Sequence, residues 1–134
     1  TGASTASAAR DNLGLQYATQ AQQETATSVA TTVTPGRQHF HPSAVKAHCR
    51  VSSAGTLQAG SYGVTSAVRN SAGNYTVTLS VTMGDTNATP QANADRAFGY
   101  ATMASTTTVT VQSYNTSGVN TDKDFTLIVL GDLA

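Results

Sequence analysis

Few side chains in this 134-residue chain have the type and spacing to do chemistry. His39-Phe40-His41 is an H-x-H. In an extended segment residues two apart point the same way, so both imidazoles would face one metal ion. In a helical segment they would not, and surface or interface histidines are the plainer reading. Lys46, His48 and Arg50 alternate along one strand face, which suits an acidic cell-surface sugar or plain solvation, and solvation is the simpler reading. Asp85, Asp95, Asp122 and Asp124 fall in or beside loops. A carboxylate pair that cleaves a sugar must flank its substrate, and Asp122 and Asp124 are too near in sequence for that. Loop acids in β-proteins are usually turn formers. No G-x-S-x-G nucleophile motif and no phosphate-cradling glycine loop occurs. The chain is therefore expected not to be an enzyme.

The elements that would position these residues are mostly strands. The stretch YGVTSAVRNSAGNYTVTLSVTM, residues 62–83, is two alternating runs joined by a glycine-containing turn. Tyr62, Val64, Ser66 and Val68 share one face of the first run. Tyr75, Val77, Leu79, Val81 and Met83 share one face of the second. With Asn70, Ser71, Ala72, Gly73 and Asn74 between them, the reading is a β-hairpin with a loop longer than two residues. Further strands are expected over residues 45–51, 96–103, 107–114 and 125–130. Residues 52–60, 84–95 and 115–123 read as loops. The last strand, FTLIVL, is apolar on both faces, as a doubly buried strand or one at a subunit interface would be. Tyr62, Tyr75, Phe98 and Phe125 are expected in the core. Tyr100 and Tyr114 lie near loop ends, where an aromatic face can stack on a sugar ring, but core or interface packing is the plainer reading of both. Cys49 lies on the apolar face with Val45, Ala47 and Val51 and reads as a small buried hydrophobe.

Upstream, short helices are expected. One covers residues 5–12 and stops at Gly14. A second follows the Thr19-x-x-Gln22 capping pattern to about Ala26. A turn of helix starts at Pro35 with Thr34 as its cap and ends at His41-Pro42. Residues 29–33 read as extended. Such short helices are marginal alone, so this segment, residues 1–41, reads as a stalk for an antiparallel β-sandwich or barrel-like head over residues 42–134.

Composition narrows the classes. Only 10% of residues are charged, 39% are hydrophobic, and the net charge is zero. The periodic Val/Thr strands argue for a sheet solvated by neutral hydroxyls rather than for disorder. With no basic stripe, nucleic acid is an unexpected partner. With no long apolar run, membrane insertion is unexpected too. The opening Thr1-Gly2-Ala3 is expected to be a cut from something longer.

Five pieces, in this order, resemble bacteriophage tail-fibre and related virion-fibre proteins. They are ASAARDNLGL (6–15), YATQAQQETATSVATTVTPGRQ (17–38), HPSAVKAHCRV (41–51), SAVRNSAGNYTVTL (66–79) and TDKDFTLIVLG (121–131). His48 stands where such fibres usually have an aromatic, and Thr25-Ala26-Thr27 replaces their usual Gly-Thr. The resemblance implies a homotrimer with a stalk and a C-terminal head, carried on the virion and touching other virion proteins. Around a threefold axis, His39 and His41 from each copy would offer enough imidazoles for one octahedral transition-metal ion; no other cofactor is expected.

The function expected is host attachment through a cell-surface glycan or protein. Loops on a rigid sheet carry recognition, which nominates Asp85, Thr86, Asn87, Gln91, Asn93, Tyr114, Asn115 and Asn120. The alternatives are a capsid-attached head fibre or decoration protein with no receptor of its own, and a bacterial adhesin module.

Overall fold

Residues 4–25 and 31–134 are described by a computed structural model of the chain. The chain divides at Ala44 and Val45 into two units.

The first unit is built from local capping chemistry. Helix α1 (Ala6–Asn12) starts at Thr5, whose hydroxyl accepts the Ala8 N–H at 3.1 Å, and ends where Gly14 turns left-handed at φ +68°. Strand β1 (Gln16–Tyr17) pairs in parallel with β2 (Thr31–Thr32). Helix α2 (Gln20–Thr25) opens on a reciprocal capping box: Gln22 N–H donates to Thr19 Oγ1 at 3.2 Å, and Thr19 N–H donates to Gln22 Oε1 at 2.9 Å. The expected extension to Ala26, and residues 29 and 30 of the expected extended stretch, lie outside the described residues. The single turn α3 (Pro35–Gln38) begins after Thr34, which makes no side-chain cap bond.

The second unit is two antiparallel sheets packed together. The three-stranded sheet has the order β3 (Ala47–Val51), β9 (Phe125–Leu130), β6 (Thr89–Ala94). The four-stranded sheet has the order β4 (Val64–Ser71), β5 (Asn74–Leu79), β8 (Thr108–Tyr114), β7 (Phe98–Ser105). Alternation places Ala47, Cys49, Val51, Phe125, Leu127 and Val129 of one sheet against Tyr75, Val77, Leu79, Val109 and Val111 of the other. The Tyr75 and Phe125 rings meet at 5.0 Å between centroids.

The sheets also join along both edges. On one, His48 and Tyr62 exchange backbone hydrogen bonds of 2.9 and 2.8 Å. Gly63 then carries the chain into β4 at φ +69°, where a Cβ would collide with the Lys46 carbonyl. On the other, a short turn links β6 to β7, and a Cβ on Gly99 would lie 2.7 Å from the Ala92 carbonyl oxygen.

Several expectations are corrected. The hairpin between β4 and β5 turns through Ala72 and Gly73 only, with Ser71 paired to Asn74, so its loop is not longer than two residues. Strand β5 stops at Leu79, and Met83 instead bridges Leu133 near the chain end. A bulge inserts Thr65 between the pairs Val64–Leu79 and Ser66–Thr78. An extra residue exchanges the two faces beyond it, so Ala67 turns inward opposite Val77 and Val68 outward, 55% exposed. Residues 89–94, expected as loop, form β6; Pro90 is tolerated there because β6 is an edge strand. Lys46 is buried and does not share an open face with His48 and Arg50. Strand β9 is not buried on both faces within this chain: Phe125, Leu127 and Val129 are sealed, while Thr126 and Ile128 are exposed.

The expected aromatic core is half right. Tyr75 and Phe125 are sealed, but Tyr62 is 48% and Phe98 64% exposed. On β7 the inward face belongs to Gly99, Ala101 and Met103, since the close approach to β6 leaves room only for small or adaptable side chains.

Phe125→Ala should therefore destabilise the chain by about 3–5 kcal/mol in urea unfolding. Phe98→Ala should change stability by no more than about 0.5 kcal/mol, because its ring adds nothing to the core.

Candidate functional site

The outer face of the three-stranded sheet brings together four of the sequence's candidates, His48, Arg50, Gln91 and Asn93. Register sets two cross-strand rows there. Gln91, Ile128 and His48 form one, and Asn93, Thr126 and Arg50 the other. Two residues expected in a loop, Gln91 and Asn93, thus share a strand face with the two exposed members of the basic run. The His48 ring stacks on Tyr62 at 5.9 Å and 24°.

Beside the second row lies an open groove of about 340 Å³, lined by Arg50, Asn93, Asp95, Arg96, Asp124 and Thr126 among others. Asp124 Oδ1 accepts the Ser53 N–H at 2.8 Å, while its Oδ2 lies 3.5 Å from Arg50, whose side chain is 64% exposed. That contact is too long and too wet to hold the guanidinium firmly. Arg96 stands in the turn between β6 and β7 with φ +51°, the one non-glycine residue with positive φ among the described residues. The turn is anchored where Asp95 N–H donates to the Asp124 carbonyl at 2.8 Å. A second depression, lined by Val45, Ala59 and Ile128 among others, adjoins the groove and shares Arg50 and Thr126 with it.

The remaining nominated residues fall elsewhere. Asp85, Thr86 and Asn87 are exposed in the loop before β6. There Asp85 accepts the Asn87 N–H at 2.7 Å and the Asn87 side-chain amide at 2.8 Å, which makes Asp85 a turn former. Tyr114 ends β8 opposite Phe98, and its hydroxyl donates to Gln112 Oε1 at 2.8 Å. Asn115 Oδ1 accepts the N–H groups of Ser117 and Val119, both at 2.9 Å, and shapes its own loop. Asn120 is exposed and bridges Tyr114. Tyr100 is 57% exposed on the same outer face as Phe98 and Gln112.

The extended geometry that an H-x-H pair needs is not present. His39 is helical at φ −60°, ψ −25°, and His41 N–H donates back to the Gln38 carbonyl at 3.2 Å. His41 Nδ1 also accepts the Ser43 N–H at 3.2 Å and lies 2.7 Å from its hydroxyl. Among the described residues no group of three or more His, Cys, Asp or Glu is placed to hold a metal ion, and no helix is long and apolar enough to cross a membrane. Burial pushes the Cys49 thiol up to about 11, so it stays protonated and unreactive at neutral pH.

Sequence reasoning missed two roles. Arg96 sits in an ordinary-looking ADRAF run, and nothing in that run announces a left-handed arginine. Asp122 is not merely a loop acid. Its Oδ1 accepts Arg69 Nε and the Gly73 N–H, both at 2.8 Å, and the Tyr75 hydroxyl at 3.2 Å; its Oδ2 lies 2.8 Å from Arg69 Nη2. The bidentate arginine pair ties the loop after β8 to the hairpin tip.

No family model, no curated protein and no solved structure matches this chain.

The hydrogen bond from Arg69, then that from the Gly73 N–H, hold the Asp122 carboxyl down at about 2, against an ordinary 3.8. The folded state thus keeps this carboxylate charged where the unfolded chain has taken up a proton, and that share of stability disappears as pH falls through the interval. Urea midpoints measured downward from about pH 5 should drop between about pH 4 and pH 2. Asp122→Asn should lower the midpoint at neutral pH and flatten this acid slope.

Proposed function

We propose that this chain is part of a virion fibre. Its β head, an antiparallel sandwich or barrel-like pair of sheets, attaches the particle to a host cell surface by binding a glycan. It works as a homotrimer and catalyses nothing. The observation that carries the reading is the outer face of the three-stranded sheet. Amide, hydroxyl and guanidinium groups (Gln91, Asn93, Thr126, Arg50) are set there on paired strands with an open groove at one end, and the Tyr62 ring stacks on His48 of the same face. Sugars are held by hydrogen bonds to such groups and by contact of their apolar faces with rings or aliphatic side chains. Strand positions hold these groups more firmly than loop tips would.

The order of fibre-like pieces along the sequence supports a trimer and a place on the virion. Three identical sites on one fibre convert weak single contacts into firm adhesion through effective concentration, by factors on the order of 10²–10⁴. The neutral, hydroxyl-rich surface of the other sheet, with Thr76, Thr110 and Thr102 in one row, presents no charge to oppose packing of copies side by side.

At micromolar concentration the full chain should sediment as a trimer, adhere to intact host cells and compete with particles for adsorption. A stable single copy that never associates would remove the trimer. A trimer that leaves adsorption untouched, seen on the capsid away from the adsorption apparatus, would make the protein a decoration instead.

A further inference from the structure

We infer that the groove beside β6 and β9 is a subsite for a carboxylate-bearing sugar, with Arg96 as the group that takes the carboxylate. The inference rests on the glycan-binding reading above and names its ligand class.

The first observation is backbone strain. A left-handed φ of +51° disfavours any side chain with a Cβ, and turns at such positions ordinarily use Gly, Asn or Asp. An arginine kept there is held by its surroundings, and strain of this kind gathers at ligand-binding positions. Here the surroundings are explicit: the Asp95 N–H is bonded to the Asp124 carbonyl, and Gly99 lies against the Ala92 backbone. The second observation is the company Arg96 keeps. It makes no ion pair or hydrogen bond among the described residues and lines the groove together with Arg50, which is only loosely held by Asp124. The Asn93 amide and the Thr126 hydroxyl stand in register with Arg50 in the same groove.

The charge pattern selects the ligand. A guanidinium fork matches a planar carboxylate. Asp95 and Asp124, in the same groove, would repel a dianion such as a phosphate monoester but can accept hydrogen bonds from sugar hydroxyls. A single negative charge on a polyhydroxylated body satisfies both. The adjoining depression, with Ile128 and Ala59, offers apolar contact for a ring face or an N-acyl methyl.

The test uses the full chain and immobilised multivalent saccharides: sialyllactose, a galacturonate oligomer, and neutral lactose. At least one acidic saccharide should bind about tenfold or more tightly than lactose. Arg96→Gln should lose about that factor for the acidic saccharide alone, as expected for one lost charge-assisted hydrogen-bonded contact. Which acidic saccharide responds separates a sialylated surface from a uronate-rich capsule. Arg96→Asn, which suits the left-handed turn, should raise the thermal midpoint while losing the acidic saccharide, so that loss of binding is not mistaken for unfolding. Equal affinity for acidic and neutral saccharides, or indifference to both Arg96 variants, overturns the subsite and leaves glycan attachment standing. A chain that binds neither host cells nor any of the three saccharides overturns both.

Discussion

Tyr75 is the residue on which the joining of the two sheets depends. Its ring is fully buried at the inner face of the four-stranded sheet and packs against Phe125, the first residue of the central strand of the other. Its hydroxyl leaves the core at the sheet end, where it reaches the Ser53 carbonyl at 3.0 Å and the Asp122 carboxylate at 3.2 Å. One side chain therefore combines apolar burial between the sheets with a polar clamp on the segments that leave them. Asp122 gathers Arg69, Gly73 and Tyr75, so the hairpin tip and the loop after β8 are held by the same carboxylate. Without Tyr75 the clamp would lose its buried anchor, and Phe125 would lose the partner that joins one sheet to the other.

That join is what makes the outer faces rigid. Strand β9 is central in its sheet, bonded to β3 on one side and β6 on the other. Its inward residues are locked in the core, so its outward residues, Thr126 and Ile128, have fixed positions relative to Arg50, His48, Asn93 and Gln91. This outer face owes its geometry to backbone pairing, and the turn after β6 adds Asp95 and Arg96 to the groove. The two outer faces differ in chemistry. One carries the charged groove; the other carries threonine rows with Phe98, Tyr100 and Tyr114 toward one end.

How much of this was legible depended on what local spacing can encode. Strands β3, β5 and β8 were readable because apolar residues recur at alternate positions and one face of each is sealed; β9 was readable as an apolar run, but not that only its Phe125, Leu127 and Val129 face is sealed. The capping box at Thr19 and Gln22 and the stop at Gly14 were readable for the same reason: each is satisfied within one turn of chain. Strand β6 was not. Thr-Pro-Gln-Ala-Asn-Ala has poor strand propensity, and it is extended because β9 supplies a complete row of partners. Nor could alternation say which face of β7 turns inward. Phe98 and Tyr100 looked like core, but the closeness of β6 admits only Gly99, Ala101 and Met103. The bulge at Thr65 likewise reversed the outer half of β4, because one inserted residue exchanges every side chain beyond it.

By itself, then, the sequence determined the class of the molecule: antiparallel strands with a valine-rich interior, a nearly uncharged surface, and short capped helices before them. These follow from side-chain period and capping, which act over a few residues. Only the tertiary structure decided which of the candidate polar residues meet. Gln91 and Asn93 join His48 and Arg50 across β9, while Asp85 and Asn115 spend their side chains on their own turns. The left-handed turn of Arg96 and the convergence on Asp122 belong to the same class of fact. They depend on contacts between residues far apart in the chain, and no local pattern of hydrophobic and polar residues records such distances.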